Sequence, residues 1–413
     1  MSKYKSMNVN FMQCQRFEDG HLVPFDGVSS RVSSCDGVDI SISNSVVFPA
    51  FCDAHVHLRE PGFFYKETIA AGTASAARGG YADVFSMPNL DPVPDTPDRI
   101  AQQWEIIHRD AAVRVHPYAA ITVGQAGREL VDFDALAPLC AGFSDDGKGV
   151  QSEQMMEEAM RRAAAIGKII VAHCEDESLL HGGCIHDGAF AAEHGLPGIC
   201  SESEWGPIAR DLRLAEKTGC KYHVCHISTK ESVALIREAK SRGVDVTCET
   251  APHYLTMDDS MLKDEGRFKM NPPIRSSADR QALVEGLIDG TIDMIATDHA
   301  PHSAEEKAQG LLGSRMGVVG LETAFAVVYT KLVRPGIVPL ETVIRALTTN
   351  PRERFGLAAT NDICVFDLDA AYTVDPAAFA SKGRSTPFEG EQLFGVCRLT
   401  VVDGRVVYAD PAQ

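Results

Sequence analysis

From residue 46 to residue 298 the sequence alternates eight times between a short apolar run ending in polar residues and a stretch with helical periodicity. The runs are 46–57, 82–88, 113–121, 140–146, 168–174, 222–228, 245–250 and 293–298. Between them lie helical stretches such as Lys66–Gly80, Pro97–Ala112, Ser152–Gly167, Lys230–Gly243 and Ala278–Gly290, most of which close on glycine. Eight strand-then-helix units predict an α/β fold, a TIM-like (β/α)8 barrel whose working side chains stand at the C-terminal strand ends. An open doubly wound sheet is the alternative, but no Gly-x-Gly-x-x-Gly opens a helix to support it. Outside the barrel the pattern returns to short strands, among them Val38–Ile42, Ile363–Phe366, Arg398–Val402 and Arg405–Tyr408. Residues 1–50 and 350–413 are therefore expected to form one small β-sandwich domain beside a barrel of residues 51–349.

The strand ends carry the chemistry. The first holds His55 and His57, two residues apart on extended backbone and so pointing to the same side. The fourth ends in Ser144-Asp145-Asp146-Gly147, the fifth in His173-Cys174-Glu175, the sixth in His226-Ile227-Ser228 and the eighth in Asp298-His299. Singly, each has an ordinary structural role: a core histidine, a turn aspartate, a helix cap. Jointly, imidazoles and carboxylates at consecutive strand ends would repel and desolvate one another without a cation to bind. Nitrogen and oxygen ligands without thiolate suit zinc, with manganese, cobalt or iron as alternatives. Six ligands exceed what one tetrahedral ion uses. A pair of ions ~3.5–4 Å apart, bridged by a carboxylate and a hydroxide, accommodates them and is a device for hydrolysis. Cys174 and Cys225 adjoin ligand histidines, but alternation turns them away from the mouth.

A balance of 57 acidic to 39 basic residues, net charge −18, argues against nucleic acid or an anionic membrane as partner. An anionic ligand would need locally placed cations, and Arg59, two residues beyond His57, can make a bidentate pair with a carboxylate. The 12 cysteines include no Cys-x-x-Cys, and Cys52, Cys174, Cys225 and Cys248 lie in apolar runs, as reduced thiols of a cytoplasmic protein do. No apolar stretch follows Met1-Ser2-Lys3-Tyr4-Lys5 to make a signal peptide, and no run approaches the ~18 apolar residues of a membrane span.

Read in order, Asp53–Gly62, Met87-Pro88-Asn89, Phe143–Gly147, Ala172–Glu175, His223–Thr229, Asn271-Pro272-Pro273 and Asp298–His302 resemble the dihydroorotases of the bacterial long-chain type. These form a cyclic amidohydrolase group within the amidohydrolase superfamily. The resemblance runs from about residue 46 to the end of the chain. It implies a metal-dependent, reversible hydrolysis of (S)-dihydroorotate to N-carbamoyl-L-aspartate in de novo pyrimidine biosynthesis. By the same resemblance His55, His57 and Asp298 ligate one of two Zn2+ ions and His173 and His226 the other. Asp146 and a hydroxide are the bridges, and Asp298 is also the catalytic base. Many relatives bridge with a carboxylated lysine; Ser-Asp-Asp-Gly here resembles the branch that uses aspartate, leaving Lys148 solvated. Arg59, Asn89 and His302 match the contacts to the substrate carboxylate, and Asn271 with the backbone around Met316 and Gly317 would hold the ring.

The expected partners are the small-molecule substrate and further copies of the chain, as a homodimer or higher homo-oligomer, with association with aspartate transcarbamoylase left open. Ala50 and the join Gly356–Asp362 depart from the family pattern, both within the expected end domain. Two competing readings are a hydantoinase, dihydropyrimidinase or allantoinase, and a non-catalytic scaffold subunit of aspartate transcarbamoylase. Asp146 in place of lysine and the Arg59/Asn89/His302 set argue against the first. The filled ligand positions argue against the second. His299 and His253 are read as partners orienting the ligands or as packed core rings, and are left outside the site.

Overall fold

The computed structural model describes residues 5–34 and 39–410, apart from the side chains of residues 26–31 and 34. The parts of the expected end domain at residues 1–4, 35–38 and 411–413 lie outside the described residues.

The barrel closes from two parallel arcs. Phe51–Val56, Tyr81–Ser86 and Arg114–Pro117 form one; Ile169–Ala172, Lys221–Val224, Val246–Thr250 and Met294–Ile295 form the other. Phe143 joins them through bridges to Ala119 and Ile170, and His299 closes the ring on Val56. Every residue of Phe51–Val56, Tyr81–Ser86 and Ile169–Ala172 is buried, as strands covered on both faces must be.

Two expected strands differ. The run 46–57 is two elements: Val46–Pro49 belongs to the end sheet and Phe51–Val56 to the barrel, with Ala50 between them donating to Asp362. The run 140–146 shrinks to the bridges at Phe143, because the Asp145 carboxylate accepts from the N–H groups of Ile121 and Thr122 and draws the chain out of the ladder.

The helices Ile69–Arg78, Pro97–Asp110, Glu153–Ala165, Lys230–Ser241 and Ser277–Ile288 occupy the expected stretches. Each starts where a hydroxyl caps the first turn: Thr68, Thr96, Ser152, Thr229 and Ser276 accept from the backbone of Ala71, Arg99, Met155, Ser232 and Asp279. The helix Glu202–Thr218 was not anticipated, since an insertion carrying the two-stranded ribbon Ile185–His186 and Gly198–Ile199 separates it from its strand.

The chain ends share one seven-stranded sheet, in the order His21–Ser34, Arg405–Ala409, Gln392–Val402, Ile363–Thr373, Val46–Pro49, Lys5–Glu18, Ile40–Ser43. His21–Ser34 also pairs with Lys5–Glu18, so this sheet folds round on itself over a core that includes Phe11, Ile42, Val47, Val365 and Leu399. An ion network ties it to the barrel. Asp83 accepts from Arg114 and pairs with Arg352 at 2.6 Å, while Arg114 reaches on to Asp362 and Asp403.

Candidate metal and substrate site

Asp146 is the centre of the barrel mouth. Its carboxylate lies 3.4 Å from His55 Nε2, 3.6 Å from His57 Nε2, 3.5 Å from His173 Nδ1 and 3.6 Å from His226 Nε2. Asp298 stands on the His57 side, 3.0 Å from its Nε2 and 3.5 Å from that of His55. On the other side His173 Nδ1 and His226 Nε2 are 3.1 Å apart. All six side chains expected to hold metal thus meet at one place: Asp146 groups with His55 and His57 on one side and with His173 and His226 on the other, and Asp298 stands beside the first pair.

The backbone is bent to achieve this. Arg59, His226 and Asp298 have φ of 63°, 31° and 46°, left-handed values that cost a non-glycine residue about 1–3 kcal/mol each and gather at functional sites. Behind them the Asp53 carboxylate accepts from the His55 backbone and from the Thr297 hydroxyl at 2.6 Å, locking the first strand to the eighth. Burial pushes the Asp53 carboxyl up to about 7 despite those donors.

The donor set fits a metal. His55 Nε2 and Asp146 Oδ1 are buried, face each other and have no hydrogen-bond partner among the described residues. Such atoms are costly to bury unless something bridges them. Burial raises the carboxyls of Asp146 and Asp298, but the neighbouring imidazoles outweigh it and hold both well below the usual range, ready as anionic ligands.

A cavity of about 320 Å3 opens above the cluster, lined by Arg59, Asn89, Asn271, His302, Met316 and Gly317 together with five of the six cluster residues and Glu175. The sequence-predicted substrate contacts therefore all reach one space. Their bonding is more committed than the sequence indicates. Asn89 engages His57 Nδ1 at 2.9 Å through its oxygen and donates to Asp146 at 3.2 Å, so it also orients the cluster. His302 is held on both ring nitrogens, by Met316 O at 2.8 Å and Lys66 Nζ at 3.2 Å. Arg59 is buried, donates through Nε to Pro301 O at 3.2 Å, and faces Asp298 and Asp146. Gly317 has φ 132° and its Cα lies so near Ala300 that an added Cβ would meet the Ala300 carbonyl at 2.6 Å. Lys307 Nζ donates to Lys269, Arg315 and Gly317 carbonyls and fixes that turn.

Asp145 is turned away on Thr122, and Lys148 is exposed. Cys174 is buried with Sγ 3.2 Å from Tyr222 OH, whereas Cys225, expected to turn away from the ligands, is buried in the barrel interior with its thiol grouped with His55 and Glu249. His299 faces Glu67 at 3.5 Å, away from the cluster, and His253 is a buried ring packed on Tyr254. Sequence reasoning missed four supports: Glu175 and Glu249, which adjoin His173 and His55, the Lys66 contact to His302, and Lys307. Glu175 stood inside a quoted motif and Glu249 at the end of a predicted strand, so position alone could have flagged both. Among the described residues no helix is long and apolar enough to cross a membrane.

Comparison with known proteins gives the chain its relatives. A family described as Dihydro-orotase-like matches residues 44–232. The chain is 50% identical to the dihydroorotase of Anoxybacillus flavithermus over 91% of its length and 90% of the relative's. It is 47% identical to that of Fusobacterium nucleatum over 98% of both chains. Among solved structures it superposes on the L-hydantoinase of Arthrobacter aurescens with a TM-score of 0.81 at 25% identity, covering 98% of this chain and 96% of that one. The dihydropyrimidinase of Brevibacillus agri gives the same TM-score at 18% identity, covering 97% and 95%, and so shares the fold.

Proposed function

The chain belongs to the dihydroorotase family, and from that premise we propose that the barrel mouth performs the reversible hydrolysis of dihydroorotate to N-carbamoyl-aspartate, the ring-opening and ring-closing step of pyrimidine synthesis. The observation that carries the reading is Asp146 within 3.6 Å of four imidazoles beneath a cavity walled by a buried arginine.

His55, His57 and Asp298 would hold one ion, His173 and His226 a second, and Asp146 would bridge them, with zinc the favoured metal for this ligand set. Bound there, the metals supply an acidified water and polarise the scissile ring carbonyl. The protein does the rest. Arg59 pairs with the substrate carboxylate through the guanidinium nitrogens not committed to Pro301, and so sets the ring at a fixed height above the cluster. Asn89 and His302 border the same corner, and Asn271 with the Met316–Gly317 turn brackets the ring. Asp298, kept ionised, takes the proton of the attacking water on its carboxylate and returns it to the leaving ring nitrogen. Ring closure retraces these steps.

Eleven cysteines among the described residues are free, which supports a reducing cytoplasm as the place of work. The partners of this reading are the substrate and further copies of the chain, and a net charge of −18 argues against nucleic acid.

The test is hydrolysis of dihydroorotate by zinc-loaded protein, with dihydrouracil, hydantoin and allantoin alongside and Asp298→Ala as control. Turnover confined to dihydroorotate and abolished in the variant is expected. Turnover of the uncharged rings instead would overturn the roles given to Arg59, Asn89 and His302.

A further inference from the structure

Behind the cluster four side chains stand in file through the barrel interior. Glu249 Oε1 is 2.8 Å from His55 Nδ1, Glu249 Oε2 is 3.1 Å from His223 Nε2, and His223 Nδ1 is 2.8 Å from Thr247 Oγ1. The first three residues have no exposed surface. Thr247 lies at the N-terminal end of Val246–Thr250 and lines a cleft of about 700 Å3 at the far end of the barrel. The file thus runs from the metal site to the opposite face.

The chemistry of each member fixes the direction of every bond. A carboxylate only accepts, so His55 Nδ1 and His223 Nε2 each carry a hydrogen and donate to Glu249. His55 Nε2 is then a bare lone pair aimed at Asp146, as metal binding requires, and His223 Nδ1 is a bare acceptor filled by the Thr247 hydroxyl. The arrangement satisfies one buried charge with two donors and needs no second charge in the core.

We propose that His223 is a positioning residue for the metal: it holds Glu249, and through Glu249 it sets the tautomer and ring angle with which His55 meets the ion. This rests on the metal-dependent reading given above. Beyond Glu249 and Thr247, the His223 ring packs edge-on against Phe355, with centroids 5.7 Å apart. A purely packing role would survive replacement by a side chain of similar bulk; a positioning role would not.

Zinc affinity, measured by competition with a chromophoric chelator, reads the difference, together with the cobalt absorption spectrum and steady-state kinetics. His223→Leu should weaken binding of the ion at His55 and His57 by roughly 10–100-fold and distort the cobalt spectrum. His223→Gln, whose amide can donate to Glu249, should recover most of that loss, and Thr247→Val should show a smaller one. Wild-type affinity in a folded His223→Leu, or no recovery in His223→Gln, would overturn the proposal. If His223→Leu fails to fold, the Thr247→Val and His223→Gln affinities decide: both equal to wild type would overturn it. Wild-type protein that binds no zinc at all would instead overturn the metal-dependent reading itself, and this inference with it.

Discussion

Asn271 donates from Nδ2 to Glu175 Oε1 across 2.8 Å, and the other oxygen of that carboxylate lies 3.5 Å from Nε2 of His173. One carboxylate therefore touches an imidazole of the cluster and the wall of the cavity at once. Asn271 thus borders the cavity with its Nδ2 anchored on Glu175.

Glu175→Ala should leave Asn271 free to rotate and weaken recognition of the ring. The loss of a hydrogen bond to a charged group predicts a fall in kcat/KM for dihydroorotate of roughly 10–100-fold. If the effect runs through Asn271 it appears mainly in KM, with zinc content unchanged. An unchanged KM alongside lost zinc would place the role of Glu175 on His173 alone.

Arg59→Met removes the buried cation over the cluster while keeping much of the side-chain length. Turnover of dihydroorotate should drop by roughly 100-fold at limiting substrate, through the lost charge-assisted pair. The zinc content and the thermal melt of the variant should match those of the parent. Lost zinc or a lowered melt would mean that Arg59 supports the fold of the mouth rather than reading the substrate.

Chelation should destabilise the protein as well as silence it. Asp146 and Asp298 are packed among four imidazoles, and any ion bound only by the folded state adds about 2.7 kcal/mol of stability at a hundred times its dissociation constant. Thermal melts with and without a chelator, and after zinc is restored, measure this; melts that coincide would contradict it.

Away from the site, Asp83 joins barrel and end sheet. Its side chain is 2% exposed, and although burial raises its carboxyl, Arg114, His116 and Arg352 hold it below the ordinary value of 3.8. Breaking a buried pair from one side costs about 3–5 kcal/mol, so Asp83→Ala should lower the urea midpoint markedly. A carboxyl depressed in the folded state contributes stability above its unfolded pKa and loses it as pH falls from there toward the folded value. Wild type should weaken below about pH 4 more steeply than Asp83→Ala; parallel curves would assign the acid transition to other groups.

Most of the barrel was readable because burial on both faces forces near-continuous apolar runs, and the polar residues that end them are conspicuous. Where reading failed, a local competition had won. Asp145 took backbone donors that the fourth strand needed, and Ala50 broke a run whose two halves are equally apolar but serve different sheets. The strand ends made the six cluster positions conspicuous, but their reading as ligands, and the choice of Asp146 over Asp145, rested on the family resemblance. Of their supports, His223 and Lys307 were not legible, since their bonds to Glu249 and to the Lys269, Arg315 and Gly317 carbonyls form only in the folded chain.

The shared end sheet bears on how the molecule is made. Val46–Pro49, which leads directly into the strand bearing His55, finds its antiparallel partner in Ile363–Phe366, more than three hundred positions later. During synthesis the segment feeding the first barrel strand must wait, one edge unpaired, until nearly the whole chain has left the ribosome. Pairings so distant in sequence make for slow assembly. A chain stopped before residue 363 would carry every cluster residue and still lack the strand that completes its end sheet.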